Sequence, residues 1–204
     1  MQSFFKPIRW NTLPRDFAII QIGFALFGLA IALLIQANLG TNPWVMLTVA
    51  VADLTGLTEG TITVITGIIV LGAGLAMREP IGWGTLGNIL FIGPWLDLFL
   101  WLMPPITDNW VLQGIMLLGG IVLLGFATGV YISVDAGAGP RDSLMLAVER
   151  TTPLNLRQAR SGIELAVFVV AWFMGGPFGI GTIVIAVLIG PTVQWSFKLF
   201  NIQR

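Results

Sequence analysis

The stretch Gly40-Thr41-Asn42-Pro43 recurs 97 positions later as Gly137-Ala138-Gly139-Pro140. Under the same shift, and without a gap, 21 of the 75 positions from Gly23 to Asp97 are identical to their counterparts. Gly-x-Gly-Thr at 82–85 falls on 179–182, and Gly93-Pro94 falls on Gly190-Pro191. Apolar composition alone would not place three turn motifs in one register, so the sequence predicts a tandem duplication.

The composition predicts a helical membrane protein. Hydrophobic residues make up 56% of the chain and charged residues only 10%, whereas a soluble domain is nearer 25% charged. Apolar runs of roughly 18–25 residues match the length that crosses a hydrocarbon core. In lipid a helix satisfies its own backbone, and the runs are too long and uniform for the strands of a membrane barrel. We interpret the first run, from Phe17, as a retained span and not a signal peptide.

The duplication and the apolar runs together predict an all-α bundle of six spans in two inverted repeats. The predicted units are a cytoplasmic segment at 1–16, a first repeat at 17–107 and a second at 108–204. Each repeat holds three spans and one short piece; the spans are expected at 17–37, 61–77, 84–103, 111–133, 158–175 and 180–200, and the short pieces at 44–55 and 141–151. A piece of roughly 12 residues is about 18 Å long as a helix, so it either lies at the interface or re-enters the membrane.

The charge distribution predicts that both termini are cytoplasmic. With six spans, all ten Lys and Arg residues fall on one face, as the positive-inside rule requires. The other face carries only Asp53, Glu59 and Asp108. Eight spans would place Arg78 and Arg141 on that outer face, so six spans are preferred. An odd number of spans per repeat makes the second repeat face the opposite way.

Several classes of chemistry are disfavoured by what the sequence lacks. There is no histidine and no cysteine, so the usual zinc and haem ligands and thiolate chemistry are absent. No P-loop, Gly-x-Ser-x-Gly or His-Glu-x-x-His motif occurs. The formal net charge of zero gives no indication of nucleic-acid binding. We therefore expect neither an enzyme nor a cofactor.

The two Gly-x-x-Pro turns are the first candidate site. Pro43 and Pro140 stop the preceding helix and suit the first turn of a new one, which is the plain structural interpretation. The functional interpretation adds a solute, because free amides at a helix N-terminus favour anions. The first turn contains Asn42 before its proline, whereas Arg141-Asp142 follows the proline of the second turn. Only the second turn therefore has charged side chains that could bind a solute.

The Gly-Pro pairs within the third spans, Gly93-Pro94 and Gly190-Pro191, are the second candidate. Each proline frees a carbonyl one turn back, at Leu90 and Val187. The plain interpretation is a packing kink. The functional one is a hinge or broken helix near the midplane that lines a solute path, as in transporters with inverted repeats.

Polar side chains within the spans are the third candidate. Asn88 and Asp97 share one predicted helix, and Arg160 and Glu164 are four residues apart on another. Ionisable groups in a membrane are costly and are functional candidates by default. The plain alternatives are that Asp97 reaches the outer interface and that Arg160 and Glu164 form an interfacial ion pair.

These motifs resemble those of the YczE-like family of uncharacterised bacterial integral membrane proteins, which is related to the YitT and YyaS groups. The resemblance rests on these segments: Asn38-Leu39-Gly40-Thr41-Asn42-Pro43-Trp44, Gly56-Leu57-Thr58-x-Gly60-Thr61, Gly84-Thr85-Leu86-Gly87-Asn88, Gly137-Ala138-Gly139-Pro140-Arg141-Asp142-Ser143-Leu144-Met145 and Gly175-Gly176-Pro177-x-Gly179-x-Gly181-Thr182. It implies a protein of the bacterial inner membrane and no established activity.

Two functions are compatible with these features. A small secondary transporter or channel-like permease for a small molecule or an ion is favoured by the inverted repeats and interrupted helices. A non-transporting membrane scaffold or regulatory subunit suits the short loops equally well. In both cases the lipid bilayer is the first partner, and a homo-oligomer is compatible with either.

The topology can be tested with single cysteines, since the native chain has none. Cysteines placed at Gln2, Thr58, Asp108 and Gln203 are treated on intact cells with a membrane-impermeant thiol reagent. Because both termini are expected in the cytoplasm, only positions 58 and 108 should react. Labelling at position 2 or 203 would refute the predicted orientation.

Overall fold

The computed structural model of the chain describes residues 10–137 and 139–202. Within them it is all-helical, with eight helices and no β-strand. The helices are α1 (Leu13–Gln36), α2 (Pro43–Thr55), α3 (Glu59–Ala76), α4 (Trp83–Leu102), α5 (Trp110–Ile132), α6 (Pro140–Thr151), α7 (Leu156–Phe173) and α8 (Ile180–Leu199). The predicted helical architecture is confirmed, including the two short helices. The predicted segment 1–16 lies largely outside the described residues.

Five helices are long and apolar enough to cross a membrane, namely α1, α3, α4, α5 and α8. α7 has 18 residues but carries Arg157, Arg160 and Glu164, so it does not have the same apolar composition. α2 and α6, with 13 and 12 residues, are too short to span. Length and composition thus support five of the six predicted spans.

The helices begin where the sequence supplies caps. Pro43 and Pro140 occupy the first turns of α2 and α6, where the missing N–H is not needed. Thr58 and Asn155 cap α3 and α7, each accepting a hydrogen bond from the amide three residues on, at 3.1 and 2.9 Å. The predicted stop and restart at both Gly-x-x-Pro turns is therefore present.

The core of the bundle is an antiparallel pair formed by α1 and α5. Tyr131, at the end of α5, packs against Gly23, where an added Cβ would lie 2.9 Å from the Tyr131 Cβ. At the other end of the pair, Leu34 of α1 packs against Gly120. Gly23 lies ten residues, or about 15 Å, into α1, and Gly120 lies equally far into α5. Each of these helices therefore ends beside the middle of the other.

Contacts between the two halves are reciprocal under the shift of 97. The amide of Gly84 donates to the carbonyl of Ala136 at 3.0 Å, and the amide of Gly181 donates to the carbonyl of Leu39 at 2.7 Å. These four residues are two equivalent pairs with the halves exchanged. α1 likewise packs on α4 as α5 packs on α8, and α2 packs on α7 as α6 packs on α3. The contacts of each half are thus repeated in the other half, and we call this exchange of equivalent contacts the two-fold pattern.

Because α1 and α5 end in mid-bundle, the short helices that follow them also begin there. Trp44, Val45 and Met46 in the first turn of α2 are buried, as is Pro140 at the start of α6. The sequence left open whether the short pieces lie at the interface or re-enter. Their packing against the ends of α1 and α5 places their N-terminal ends inside the bundle.

One pair of contacts departs from the two-fold pattern. α3 packs closely on α4, where Gly60 and Gly93 approach so closely that a Cβ on either would collide with the other backbone. The equivalent helices, α7 and α8, hardly touch each other within the described residues. At Gly190, the counterpart of Gly93, an added Cβ would meet nothing within 4 Å. The first repeat is closed at this point and the second is open.

Packing of α1 on α4 through glycine gives a stability prediction. A Cβ at Gly28 would lie 2.8 Å from the Trp95 Cβ and 2.9 Å from the Leu96 amide nitrogen. Gly28→Ala should therefore push α1 from α4 and destabilise the fold by about 1–3 kcal/mol. The thermal midpoint of the purified protein in detergent measures this. Gly119→Ala is the matched control, since nothing lies within 4 Å there, and equal losses in the two variants would contradict the packing.

Candidate functional site

The first turns of α2 and α6 face each other in the middle of the bundle. The guanidinium carbon of Arg141 lies 4.8 Å from the centroid of the Trp44 ring. An arginine at this distance over an indole face is held by a cation–π interaction. Two residues that occupy equivalent positions in the repeats, 97 apart, therefore form the centre of the candidate site.

Trp44 brings a hydrogen-bond donor that the protein does not use. Its side chain is only 7% exposed, and its Nε1 has no acceptor in the described part of the chain. Leaving such a donor buried and unpaired costs about 1–3 kcal/mol. The Thr41 hydroxyl, just before α2, is also buried without a partner among these residues. Two buried polar groups at the start of α2 are therefore without a hydrogen-bond partner among the described residues.

Arg141 is half-buried, and its guanidinium makes no hydrogen bond or ion pair with the described residues. Asp142 follows it in the chain and adds a negative charge near the guanidinium. An arginine is cationic at neutral pH. The site thus contains a fixed positive charge with five N–H donors.

Further polar groups surround the beginning of α6. A Cβ built on Gly139 would lie 3.4 Å from the Tyr131 hydroxyl, 3.5 Å from an Asp142 carboxylate oxygen and 3.7 Å from the Asn88 amide nitrogen. The structure therefore places Asn88 near Asp142 and the start of α6, whereas the sequence analysis grouped Asn88 with Asp97. Tyr131 was not predicted, although it is the only tyrosine in the chain and occupies the end of a span.

Asn42 has a defined structural role at the same place. Its side-chain oxygen accepts a hydrogen bond from the Val45 amide at 3.1 Å and so caps α2. α6 has no side-chain cap, because the equivalent residue is Gly139. The two facing helix starts therefore differ in how many of their amides the chain itself satisfies.

Asp97 lies apart from this centre and fastens α3 to α4. One carboxylate oxygen accepts from the Gly60 amide at 2.7 Å, and the other accepts from the Thr58 hydroxyl at 2.7 Å. These bonds cap the start of α3 from a neighbouring helix. The counterpart of Asp97 in the second repeat is Gln194, which is exposed. Nothing equivalent fastens α7 to α8 among the described residues.

Arg160 and Glu164 form the predicted ion pair, with the Arg160 Nε 3.0 Å from a Glu164 oxygen. Their side chains are 54% and 38% exposed, so the pair lies on the surface of α7. A pair of this kind contributes about 0–1 kcal/mol. The geometry agrees with the interfacial interpretation, and the alternative role in a solute path stays a prediction.

The Gly-Pro pairs do not line the central site. Gly93 is buried against α3, but Pro94, Gly190 and Pro191 are exposed. Leu90 and Val187, one turn before the prolines, are 57% and 65% exposed. The prolines thus occupy outward faces of α4 and α8. The role of their freed carbonyls in a solute path stays a prediction.

The side chains at the centre are of the kind that bind a ligand through charge and hydrogen bonds. Within residues 10–137 and 139–202 no group of three or more His, Cys, Asp or Glu side chains could hold a metal ion. What the site offers is a cation stacked on an indole, an unused indole N–H, and amide, hydroxyl and carboxylate groups beside them. An apolar helical bundle with such a centre defines a multi-pass membrane protein.

The chain belongs to DUF6198, a family of unknown function, whose model matches residues 14–198. It is 35% identical to the uncharacterized membrane protein YczE of Bacillus subtilis, over 85% of this chain and 81% of that protein. An uncharacterized protein of Haemophilus influenzae is 30% identical over 93% and 87% of the two chains, and the uncharacterized protein YyaS of Bacillus subtilis is 31% identical over 83% and 86%. The predicted family resemblance is thereby confirmed. No solved structure matches the chain.

The bonds of Asp97 predict a specific loss of stability. Asp97→Ala leaves the Gly60 amide and the Thr58 hydroxyl without their acceptor, which should cost about 1–3 kcal/mol. Asp97→Asn keeps one acceptor oxygen and should lose less. Thermal unfolding in detergent measures both, with Asp53→Ala as control because Asp53 is exposed on α2. The proposed fastening would be wrong if the variants at 97 and 53 unfolded at the same temperature.

Proposed function

We propose that this protein is a small permease of the bacterial cytoplasmic membrane, with a solute path between two inverted three-span repeats. In this arrangement α7 is the sixth span and both termini are cytoplasmic. The charged residues of α7, Arg157, Arg160 and Glu164, all lie in its first half and would reach the inner interface. The remainder of α7 is apolar.

The inverted relation is supported by the contacts between the repeats. α1 and α5 are equivalent in sequence and run antiparallel in the core. The Gly84 amide donates to Ala136, and the Gly181 amide donates to Leu39. Each of these reciprocal bonds joins one repeat to the start of the third span of the other. Two equivalent units related in this way face opposite sides of a membrane.

The single observation that carries the permease proposal is the difference between the repeats. α3 is fastened to α4 through Asp97 and Gly60, whereas the equivalent α7 and α8 stand apart. In inverted-repeat transporters, alternating access arises when the two units exchange conformations around a fixed central site. A closed pair on one side and an open pair on the other is the asymmetry that such an exchange requires.

The central site lies where a path between the repeats would run. Trp44 belongs to the first repeat and Arg141 to the second, and their side chains meet. Asn88 contributes from α4 beside the start of α6. In the proposed path, Arg141 and Asp142 lead from this centre toward the cytoplasm, and Arg160 and Glu164 lie at its inner end.

The alternative function is a non-transporting scaffold or regulatory subunit. In that case the space between α7 and α8 would receive a helix of another protein or a second copy of this chain. The exposed apolar side chains of these helices, such as Leu165 and Val187, suit a partner helix as well as they suit lipid. The two functions differ in whether α7 and α8 ever close.

Paired cysteines test this difference in a chain that has no native cysteine. Thr58 and Asp97 are joined by a hydrogen bond, and their counterparts are Asn155 and Gln194. One variant carries cysteines at 58 and 97, and the other at 155 and 194. Alternating access predicts that both pairs form disulfides in membranes under mild oxidation, each trapping one conformation. Single-cysteine variants at the four positions are the controls.

The scaffold alternative predicts another result. If the repeats are fixed as they stand, the pair at 58 and 97 should cross-link quickly and the pair at 155 and 194 should not. Failure of the second pair to form a disulfide in membranes, when the first forms readily, would contradict the permease proposal.

A further inference from the structure

We propose that the central site binds the carboxylate of a small monoanionic organic solute, through the guanidinium of Arg141 and the indole N–H of Trp44. The proposal deepens the permease function, and it rests on that function for the identification of the ligand as transported solute. The binding itself is a property of the site and can be measured without transport.

The proposal depends on two donors that have no acceptor in the described part of the chain. Arg141 makes no hydrogen bond or ion pair with the described residues, and Trp44 Nε1 is buried without an acceptor among them. The guanidinium carbon lies over the indole ring, and a cation–π contact of this kind uses none of the five N–H donors of the arginine. The planar fork of these donors matches the two oxygens of a carboxylate, which an arginine binds bidentately.

Backbone dipoles add to the positive potential. α2 and α6 begin at the site with their N-terminal ends, which carry partial positive charge. α6 starts at Gly139 without a side-chain cap. An anion bound here would interact with both helix starts, as anions do at helix N-termini in general.

Asp142 determines how much negative charge the site accepts. It follows Arg141 directly, and its charge acts on that guanidinium. Its carboxylate places negative charge beside the guanidinium. This charge opposes a dianion such as sulfate more strongly than a single carboxylate, because the repulsion grows with the charge of the ligand.

The walls of the site favour an organic body behind the carboxylate. Trp44 presents aromatic surface at the site. Asn88 and the Tyr131 hydroxyl lie beside the start of α6. Apolar walls with a few fixed polar groups are typical of sites for small organic molecules.

The test titrates the purified protein in detergent with sodium lactate and sodium benzoate. Thermal midpoint and tryptophan fluorescence are followed, with sodium chloride at equal concentration to remove general salt effects. The proposal predicts saturable changes with at least one of the carboxylates and weaker binding of sodium sulfate, which is a dianion at neutral pH. Arg141→Gln should weaken carboxylate binding about 10- to 100-fold, the range for a lost charge-assisted bond.

Two further variants keep the test decisive. Trp44→Phe retains the ring under Arg141 but removes the N–H, and it should weaken binding by less than Arg141→Gln does. Arg157→Gln, at an exposed arginine on α7, is the matched control and should bind as the native protein does. If Arg141→Gln does not fold, the native titration and the Trp44→Phe comparison still decide the outcome.

The results separate this inference from the permease proposal. Saturable binding that depends on Arg141 supports the site even if the cysteine pair at 155 and 194 never closes. Absence of saturable carboxylate binding by the native protein, or equal loss in Arg141→Gln and Arg157→Gln, overturns the site. Tighter binding of sulfate than of either carboxylate overturns the assignment to a monoanion.

Discussion

The structure depends on how backbone groups are satisfied where two helices stop inside the bundle. In lipid an unpaired amide or carbonyl costs several kcal/mol, so a chain can leave helical conformation only where protein supplies the partners. The carbonyls of Leu39 and Ala136, just beyond α1 and α5, accept hydrogen bonds from Gly181 and Gly84 of the opposite repeat. These reciprocal bonds allow α2 and α6 to begin at mid-bundle.

The same constraint explains the glycines in the duplicated motif. A Cβ at Gly181 would lie 2.8 Å from the Leu39 carbonyl oxygen, and one at Gly84 would lie 3.1 Å from that of Ala136. Only glycine lets the two backbones approach closely enough for the bonds to form. Gly40 and Gly137 adopt positive φ angles of 95° and 130° on the other side of these contacts. In each of the two equivalent interfaces, a Gly-x-Gly-Thr motif of one repeat therefore packs against the Gly-x-x-Pro turn of the other.

Because α6 begins at the centre of the bundle, the positive charge of Arg141 in its first turn lies there too. Arg141 follows Pro140 directly, so it cannot reach the membrane surface without leaving the first turn of α6. A cation at this depth is costly, and stacking on Trp44 with a nearby Asp142 offsets part of that cost. This cation at the centre of an apolar bundle is the feature on which the proposed solute binding rests.

Much of this arrangement was predictable from the sequence, because the 97-residue shift and the apolar runs predicted the helices and their order. Caps and prolines also predicted where α2 and α6 begin. The overlap of α1 with α5 was not predictable. Hydropathy gives the length of a span, but it does not give the position of that span along the axis of a neighbouring helix. The roles of Tyr131 and Asp97 depend on that overlap and on the packing of α3 on α4. At the open α7 and α8 pair the repeats differ in sequence, since Thr58 and Asp97 have Asn155 and Gln194 as counterparts. That these differences decide whether the two helices pack was not predictable, because the bonds of Asp97 are seen only in the structure.

The measurement that tests the account most directly is the proximity of the two short helices. Cysteines at positions 44 and 141 in the otherwise cysteine-free chain can be treated in membranes with a short bifunctional thiol reagent. Because the first turns of α2 and α6 meet at the centre, the two positions should cross-link within one chain. If both short helices lay at opposite interfaces, the positions would be about 30 Å apart. No intramolecular cross-link would then form, and the central site would be contradicted.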